Sequence, residues 1–304
     1  MAGSRPLAKL RRSGTAFVLV AGAAVAAASG ASGAAAVGSD VSSNWAGYVA
    51  SAGLDPTTGS AQTFATVSGN WVQPAAKCAA ATSSTSAAFW VGLGGDSESS
   101  NALEQIGTES DCTTNGGARY TAWYELVPAG SVAISLKVSP GDKLAASVGV
   151  TGSKVSVKLA NLTTGKSFSR LLSMASPDTT SAEWIAEAPS LCASTNESTC
   201  RQAALTNFAK ISFSHASITS SSGHTGTISD PAWSATALEL AGGGGGGFGY
   251  GRFAAASSAA QALPGALKSS GSSFAVTWSS QEQQHSDPGY GYDPGYGGGG
   301  YPGY

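Results

Sequence analysis

The segments "KLAASVGV" (143–150) and "KVSVKLANL" (154–162) both alternate apolar residues with polar or small ones. That period of two is typical of β-strands that are buried on one face only. The residues between the two segments, "TGS" (151–153), contain the glycine that a tight turn favours. We therefore predict an antiparallel β-hairpin at this point of the chain.

The same alternation recurs in "FAKISFSHASI" (208–218) and "SFAVTW" (273–278), and no long helical periodicity follows the N-terminal segment. Many short strands spread over residues 37–280 predict one all-β domain, either a β-sandwich or a barrel. The glycine-rich and alanine-rich stretch 242–270 is expected to form an extended loop between the last two strands.

Residues 1–36 have the composition of a secretion signal, because basic residues precede a short apolar run and small residues follow it. The apolar run is shorter than the ~20 residues of a membrane span. We therefore expect a secreted, extracellular protein that does not engage a membrane once the signal is removed. Removal takes away four of the 16 basic residues and none of the 18 acidic ones, which leaves a formal charge of −6. That balance argues against nucleic acid as a partner.

The C-terminal segment 281–304 ends in "HSDPGYGYDPGYGGGGYPGY" (285–304) and contains no aliphatic residue. A segment without apolar side chains to bury cannot offset the entropy that folding costs. We expect this segment to be a disordered tail.

Four cysteines in an exported chain, Cys78, Cys112, Cys192 and Cys200, predict two disulfides, for which three pairings are possible. We favour Cys192–Cys200, which closes the short loop "CASTNESTC", with Cys78–Cys112 as the remaining pair. No metal site is expected, because the chain has no CxxC motif and its three histidines lack the spacing of ligands.

The G-x-S-x-G motif of serine hydrolases and the H-E-x-x-H motif of zinc peptidases are both absent. A different candidate for chemistry is "EWIAEAP" (183–189). As a strand, this segment would place its tryptophan and alanines on one face and Glu183, Ile185 and Glu187 on the other. Two carboxylates would then share one sheet face.

In two further segments, one strand face carries a polar residue beside a large apolar one. In "ALEQIG" (102–107) Gln105 shares a face with Leu103, and in "AWYELV" (122–127) Glu125 shares a face with Trp123. Buried polar groups are costly unless they are hydrogen-bonded, so each is a candidate for chemistry. The alternative interpretation is that these polar residues lie on a sheet face that is open to water.

Six short motifs follow one another along the chain. They are "SNWAGY" (43–48), "FWVGLGGD" (89–96), "LEQIG" (103–107), "AWYELVP" (122–128), "NLTTGK" (161–166) and "AEWIAE" (182–187). In this order they resemble the glutamic peptidases, family G1, also called eqolisins, and match a bacterial-type member. The resemblance implies a lectin-like (concanavalin-like) β-sandwich of two packed antiparallel sheets. It also implies an endopeptidase that acts on proteins or peptides without a cofactor.

The resemblance identifies the catalytic pair as Gln105 and Glu187, with Glu183 as the first and non-catalytic glutamate of its motif. Glu187 would take a proton from the attacking water and return it to the leaving nitrogen, while a Gln105 N–H would stabilise the oxyanion. Because glutamate titrates near ~4.3, an acidic optimum is expected without a large pKa shift. The fungal members often carry an aspartate where this chain has Gly94.

Trp45, Trp90 and Trp123 are candidates for lining a substrate groove, and Glu125 is a candidate for contacting the substrate there. The three tryptophans fit a position in the core of the sandwich equally well.

The sequence therefore predicts a secreted acid endopeptidase that acts as a monomer. One alternative is a glycoside hydrolase, which needs two carboxylates. The residues that could supply them are Glu104, Glu109, Glu125, Glu183 and Glu187. Another is a non-catalytic module that binds carbohydrate or cell walls. Gln105 favours the peptidase, because an essential amide fits that chemistry better than a scheme with two carboxylates.

Overall fold

The computed structural model describes residues 36–54, 59, 61–97, 99–192, 200–241 and 260–280. Every regular element in these ranges is a β-strand, which confirms the all-β prediction. The expected signal, apart from residue 36, and the expected C-terminal tail lie outside the described residues, so both stay predictions.

The described ranges hold 19 strands. In chain order they are β1 (Val37–Ser42), β2 (Trp45–Ala52), β3 (Phe64–Val72), β4 (Thr85–Gly94), β5 (Leu103–Cys112), β6 (Ala118–Val127), β7 (Val132–Ile134), β8 (Lys143–Thr151), β9 (Lys154–Asn161), β10 (Lys166–Ser173), β11 (Ser181–Glu187), β12 (Ser190–Cys192), β13 (Cys200–Gln202), β14 (Ala204–Leu205), β15 (Lys210–Ser220), β16 (Thr225–Gly226), β17 (Trp233–Ala241), β18 (Ala260–Pro264) and β19 (Phe274–Trp278).

Seventeen of these strands form one continuous hydrogen-bonded network. A front half runs in the order β7–β6–β5–β4–β11–β2–β17, and a back half runs β15–β3–β8–β9–β10. Strands β18 and β19 link the halves by pairing with β17, with each other and with β15. The pairing is antiparallel except between β1 and β17 and between β14 and β4. The sheet therefore nearly closes on itself.

The hairpin predicted from residues 143–162 is formed by β8 and β9. Alternate residues are buried over Leu144–Val148 in β8 and Val155–Asn161 in β9, and the residues between them are more exposed. Gly152 in the turn has a φ of +57°, a left-handed conformation that glycine adopts at little cost. The strands predicted in 208–218 and 273–278 are likewise present as β15 and β19.

The front and back halves pack face to face around the larger hydrophobic core. The indole N–H of Trp184 on β11 donates to the carbonyl of Ser68 on β3 at 2.8 Å. Trp71 on β3 donates to the hydroxyl of Thr108 on β5 at 3.0 Å. A Cβ atom added at Gly69 would lie 2.7 Å from Cδ1 of Trp184, so the backbone must be bare there. This packing is consistent with a β-sandwich.

The prediction of an extended loop over residues 242–270 is wrong for part of that stretch. Residues Ala260–Pro264 form β18, which pairs with β17 and β19, and Ala262 is completely buried. The segment "AQALP" has no β-branched or aromatic residue, so its own sequence does not favour a strand. The neighbouring strands impose this conformation on it. Residues 242–259 lie outside the described part of the chain.

One of the two expected disulfides is present. Cys78, in the segment before β4, is bonded to Cys112 at the end of β5. Cys192 and Cys200 are directly opposite each other in the β12–β13 pair. Their side chains lie outside the described residues, so their disulfide stays a prediction. In the described ranges, no helix is long and apolar enough to cross a membrane.

Candidate active site

Strand β4 runs between the two strands that carry the predicted catalytic residues. On one side β5 places Gln105 opposite Gly92, and on the other side β11 places Glu187 opposite Ala88. Directly paired residues of antiparallel strands project from the same face, as do residues an even number apart on one strand. Gln105 and Glu187 therefore project from the same face of the front half, which we call the site face.

Two glycines on the site face allow close contacts around Trp90. A Cβ atom at Gly92 would lie 2.9 Å from Cζ3 of Trp90, and one at Gly107 would lie 2.6 Å from its Cβ. Such distances are shorter than van der Waals contact. A side chain at Gly92 would displace the indole, whereas one at Gly107 would collide with the backbone of β4 at Phe89 and Trp90. The glycine of the "WVG" motif thus leaves room for the ring, and that of "LEQIG" lets β5 lie close to β4.

The three predicted groove tryptophans lie together on the site face. Trp45, Trp90 and Trp123 belong to a smaller hydrophobic cluster that is separate from the larger core between the halves. The rings of Trp45 and Trp90 meet edge to face with their centroids 5.1 Å apart. Trp90 is fully buried, whereas Trp45 and Trp123 keep 6% and 8% of their surface exposed. The structure places all three beside the predicted catalytic pair.

Glu187 receives hydrogen bonds on both of its carboxyl oxygens. The indole Nε1–H of Trp90 donates to Oε2 at 2.8 Å, and the amide Nδ2 of Asn44 donates to Oε1 at 3.2 Å. Burial raises the pKa of Glu187 to about 7; the Trp90 N–H opposes this rise, and the charge of Glu125 adds to it. The expectation of an acid/base group without a large pKa shift is therefore wrong. The residue is still partly exposed.

Gln105 is paired across the sheet with Glu125 on β6. Its Nε2 donates to Oε2 of Glu125 at 2.8 Å, whereas its own buried Oε1 has no hydrogen-bond partner. Only 4% of Gln105 is exposed. Burial raises the pKa of Glu125 to about 7, although hydrogen bonds from Gln105 and from the backbone of Ser131 favour its ionised form.

Glu183 shares the site face with Glu187 but has very different surroundings. It is completely buried, and neither of its carboxyl oxygens has a hydrogen-bond partner among the described residues. Burial raises its pKa well above the usual value, and the nearby hydroxyl of Ser181 offsets only part of that rise. The charges of Asp96, Asp178 and Glu104 raise the pKa further. Glu183 is therefore a neutral carboxylic acid over a wide range of pH.

Asp178 lies directly against Gly94, where a side chain would not fit. A Cβ atom at Gly94 would lie only 2.5 Å from Cβ of Asp178. The Asp178 carboxylate accepts hydrogen bonds from Gly95, Ser100 and Thr180. Burial alone would raise the pKa of Asp178, but these hydrogen bonds outweigh burial and lower it. A carboxylate thus lies beside Gly94 but comes from the segment before β11.

Sequence reasoning did not assign a role to Asn44 or Asp178. Asn44 lies within the "SNWAGY" motif, yet its contact with Glu187 joins residues 143 positions apart. Asp178 lies in no recognised motif. The presence of Asn44 beside Trp45 in a shared motif is the one signal that could have pointed to it.

Four of the five carboxylates considered for a glycoside hydrolase share the site face. These are Glu109, Glu125, Glu183 and Glu187. Glu104 projects from the opposite face, where one of its oxygens accepts a hydrogen bond from the backbone N–H of Asp178 at 3.2 Å. Burial raises the pKa of Glu104 to about 8. The described residues include no group of three or more His, Cys, Asp or Glu side chains that could hold a metal ion.

Residues 43–241 match the family model of the Peptidase A4 family. The match contains Gln105, Glu187 and all three tryptophans of the site face. The chain has no significant sequence match among the curated proteins.

Solved structures of glutamic peptidases are similar to this chain over their whole length. A scytalido-glutamic peptidase with a peptide-based transition-state analogue is 26% identical, with a TM-score of 0.58 over 79% of this chain and 100% of its own. SCP-B, a member of the eqolisin family in a complex with the tripeptide Ala-Ile-His, is 26% identical, with a TM-score of 0.56 and the same coverage. Aspergilloglutamic peptidase from Aspergillus niger is 27% identical, with a TM-score of 0.50 over 64% of this chain and 99% of its own.

Proposed function

The chain belongs to the Peptidase A4 family and is a glutamic-type peptidase, and we propose that Gln105 and Glu187 are its catalytic pair. The observation that carries this assignment is the set of donors on Glu187. Trp90 and Asn44 each donate a hydrogen bond to one of its carboxyl oxygens on the same sheet face as Gln105. Hydrogen bonds of this kind favour the carboxylate, which is the form that a general base needs.

The first step is attack by water on the peptide carbonyl. The Glu187 carboxylate takes one proton from the water as its oxygen bonds to the carbonyl carbon. The carbonyl oxygen becomes negative at the same time, and the free N–H of Gln105 donates to it. An amide suits this task because it does not titrate and so keeps its N–H groups at every pH.

The second step breaks the carbon–nitrogen bond. Glu187, now protonated, gives its proton to the nitrogen of the tetrahedral intermediate, and the amine leaves. The carbonyl re-forms as a carboxylic acid, and Glu187 is again a carboxylate. One glutamate therefore acts first as the base and then as the acid.

The substrate is a protein or peptide, and we place it along the site face over β4. Trp45 and Trp123 keep a small part of their surface exposed there and would contact apolar substrate side chains. Trp90 is fully buried and acts on Glu187 rather than on the substrate. Glu125 would border the position of the scissile bond.

Activity is expected to peak closer to neutrality than the ordinary pKa of glutamate would give. Burial raises the pKa of both Glu187 and Glu125 to about 7, and the charge of Glu125 raises that of Glu187. Two interacting carboxyl groups lose their protons in two separate steps. The pair carries a single charge, on Glu187 as the base, at pH values between those two steps.

Export, a monomeric state and the bacterial-type character complete the proposal. The Cys78–Cys112 disulfide supports export, because disulfides persist in oxidising compartments. A lectin-like division into two sheets is supported by the face-to-face packing of the front and back halves around one large core. The glycoside hydrolase and the carbohydrate-binding module are not retained, since the matching family and the similar structures are peptidases.

The test is hydrolysis of denatured casein by the purified protein between pH 3 and pH 8. Gln105→Ala is expected to reduce the rate by about 10²–10³, the usual cost of losing one oxyanion donor. A metal chelator and reagents directed at serine or cysteine nucleophiles should leave the wild-type rate unchanged. Full activity in Gln105→Ala with an unaltered melting temperature would overturn the assignment.

A further inference from the structure

The contact between Gln105 and Glu125 has a consequence for the chemistry of the amide. A side-chain amide has two N–H groups on its nitrogen and one carbonyl oxygen. One N–H donates to Glu125 at 2.8 Å, and among the described residues the buried Oε1 has no hydrogen-bond partner. The second N–H is therefore the one that would meet a substrate oxygen. The carboxyl group of Glu125 therefore determines which way the amide faces.

We propose that Glu125 is a positioning residue that orients the Gln105 amide, and that it supports catalysis only while its carboxyl group carries a proton. This inference rests on the proposed function, because it assumes that Gln105 stabilises the oxyanion. It assigns Glu125 a second role besides bordering the substrate.

The requirement for a proton follows from the position of the charge. If the second N–H of Gln105 binds the oxyanion, only the amide nitrogen of Gln105 separates the oxyanion from the Glu125 carboxyl. An ionised carboxylate there would repel the developing negative charge through a region with little water. It would also make the amide nitrogen a poorer donor, because its other N–H already faces a full charge. A neutral carboxyl group still accepts the N–H through its carbonyl oxygen and adds no repulsion.

Few ionisable groups compete for this role around Glu125. Among the described residues, those that project from the site face are Glu187 and Glu183 on β11, Glu109 and Asp111 on β5, Arg119 on β6 and, at the far edge, Asp40 on β1. Strand β7, which pairs with the other side of β6, contributes none. Glu187 is the group whose pKa the charge of Glu125 raises. Repulsion between the two carboxyl groups disfavours the state in which both are ionised, and we assign the single charge to Glu187, whose oxygens accept from Trp90 and Asn44.

The experiment compares Glu125→Gln and Glu125→Leu with wild type, using a quenched fluorescent peptide taken from a casein cleavage site. Values of kcat and KM are measured from pH 3 to pH 9. Glutamine is permanently neutral and can still accept the N–H, so Glu125→Gln should keep a higher kcat than Glu125→Leu at every pH. Its activity should extend at least about one pH unit higher, because the group that ends activity has been removed. Glu125→Leu should lose about 10²-fold in kcat with little change in KM, since the amide is no longer oriented.

The matched control is Glu109→Gln, which removes a carboxylate from the same face without touching the Gln105 amide. The pH at which kcat of Glu109→Gln falls on the alkaline side should be the same as in wild type. An alkaline limb that does not move in Glu125→Gln would overturn the inference. A rise in KM alone for Glu125→Leu would also overturn it, because that result describes a substrate contact. If Glu125→Leu does not fold, Glu125→Gln decides the matter by itself. Loss of the proposed function would be visible separately, as full activity in Gln105→Ala.

Discussion

Glu183 and Glu187 lie on the same strand and project from the same face, yet they have opposite surroundings. Glu187 is partly exposed and accepts hydrogen bonds from Trp90 and Asn44. Glu183 is completely buried, has no hydrogen-bond partner on either oxygen and has three other acidic side chains near it.

The contrast shows that a strand pattern can place a carboxyl group but cannot give it a task. Burial raises the pKa of both glutamates. At Glu187 the donors Trp90 and Asn44 stabilise the ionised form and the residue is partly exposed. At Glu183 the hydroxyl of Ser181 offsets only part of the effect of complete burial. Glu183 is held as a neutral acid inside the sheet, where it affects the stability of the fold more than the reaction.

The largest expected effect comes from exchanging each glutamate for glutamine in turn. Glu187→Gln removes the only proposed acid/base group, so kcat should fall by about 10³-fold or more, since such groups contribute 10²–10⁴. Glu183→Gln should keep kcat within about threefold of wild type at the pH optimum. Both variants are assayed on the same casein-derived peptide, with melting temperatures to confirm folding. The reverse result, an inactive Glu183→Gln and an active Glu187→Gln, would exchange the two roles.

Much of the fold could be predicted because half-buried strands alternate. β8, β9, β15 and β19 all follow this pattern, whereas β11 is buried on both faces up to Ala186. β18 does not follow it, and its strand conformation comes from β17 and β19. The path that joins the two halves could not be predicted either, since it depends on pairings between distant parts of the chain.

The site could be predicted only as far as its motifs extend. Gln105, Glu187 and the three tryptophans come from recognisable segments, and the structure places them on one face. The donors and charges around them come from elsewhere: Asn44 is 143 positions from Glu187. The raised pKa of Glu187 depends on burial, which a sequence pattern does not record.

A second comparison of the two glutamates concerns stability. Because the pKa of Glu183 is raised in the folded chain, its contribution to stability is complete below the unfolded pKa near ~4.3 and is lost as the pH rises toward the folded pKa. Glutamine does not titrate, so Glu183→Gln should become more stable than wild type as the pH rises. The gain should reach at most about 1.4 kcal/mol per pH unit, or about 2.7 kcal/mol between pH 5 and pH 7.

Urea unfolding at pH 5, 6 and 7 measures this difference directly. The free energies of unfolding of Glu183→Gln and wild type should diverge with increasing pH. If the free energies of unfolding of the two proteins instead change with pH in parallel, Glu183 releases its proton without cost in the folded chain. Burial would then not explain the contrast with Glu187.

The smallest expected effect tests whether the Trp90 hydrogen bond sets the basicity of Glu187. Trp90→Phe keeps an aromatic ring over Gly92 but removes the N–H that donates to Oε2 at 2.8 Å. That donor stabilises the carboxylate, so its loss should raise the pKa of Glu187 and move the acidic limb of kcat/KM to higher pH. A hydrogen bond to a charged group is worth about 1.5–3 kcal/mol, which corresponds to a shift of about 1–2 pH units. Trp123→Phe is the matched control, since it removes an indole from the same cluster and should change KM without moving the acidic limb. Equal limbs in Trp90→Phe and wild type would mean that Glu187 owes its role to exposure alone, and the donor set would no longer distinguish it from Glu183.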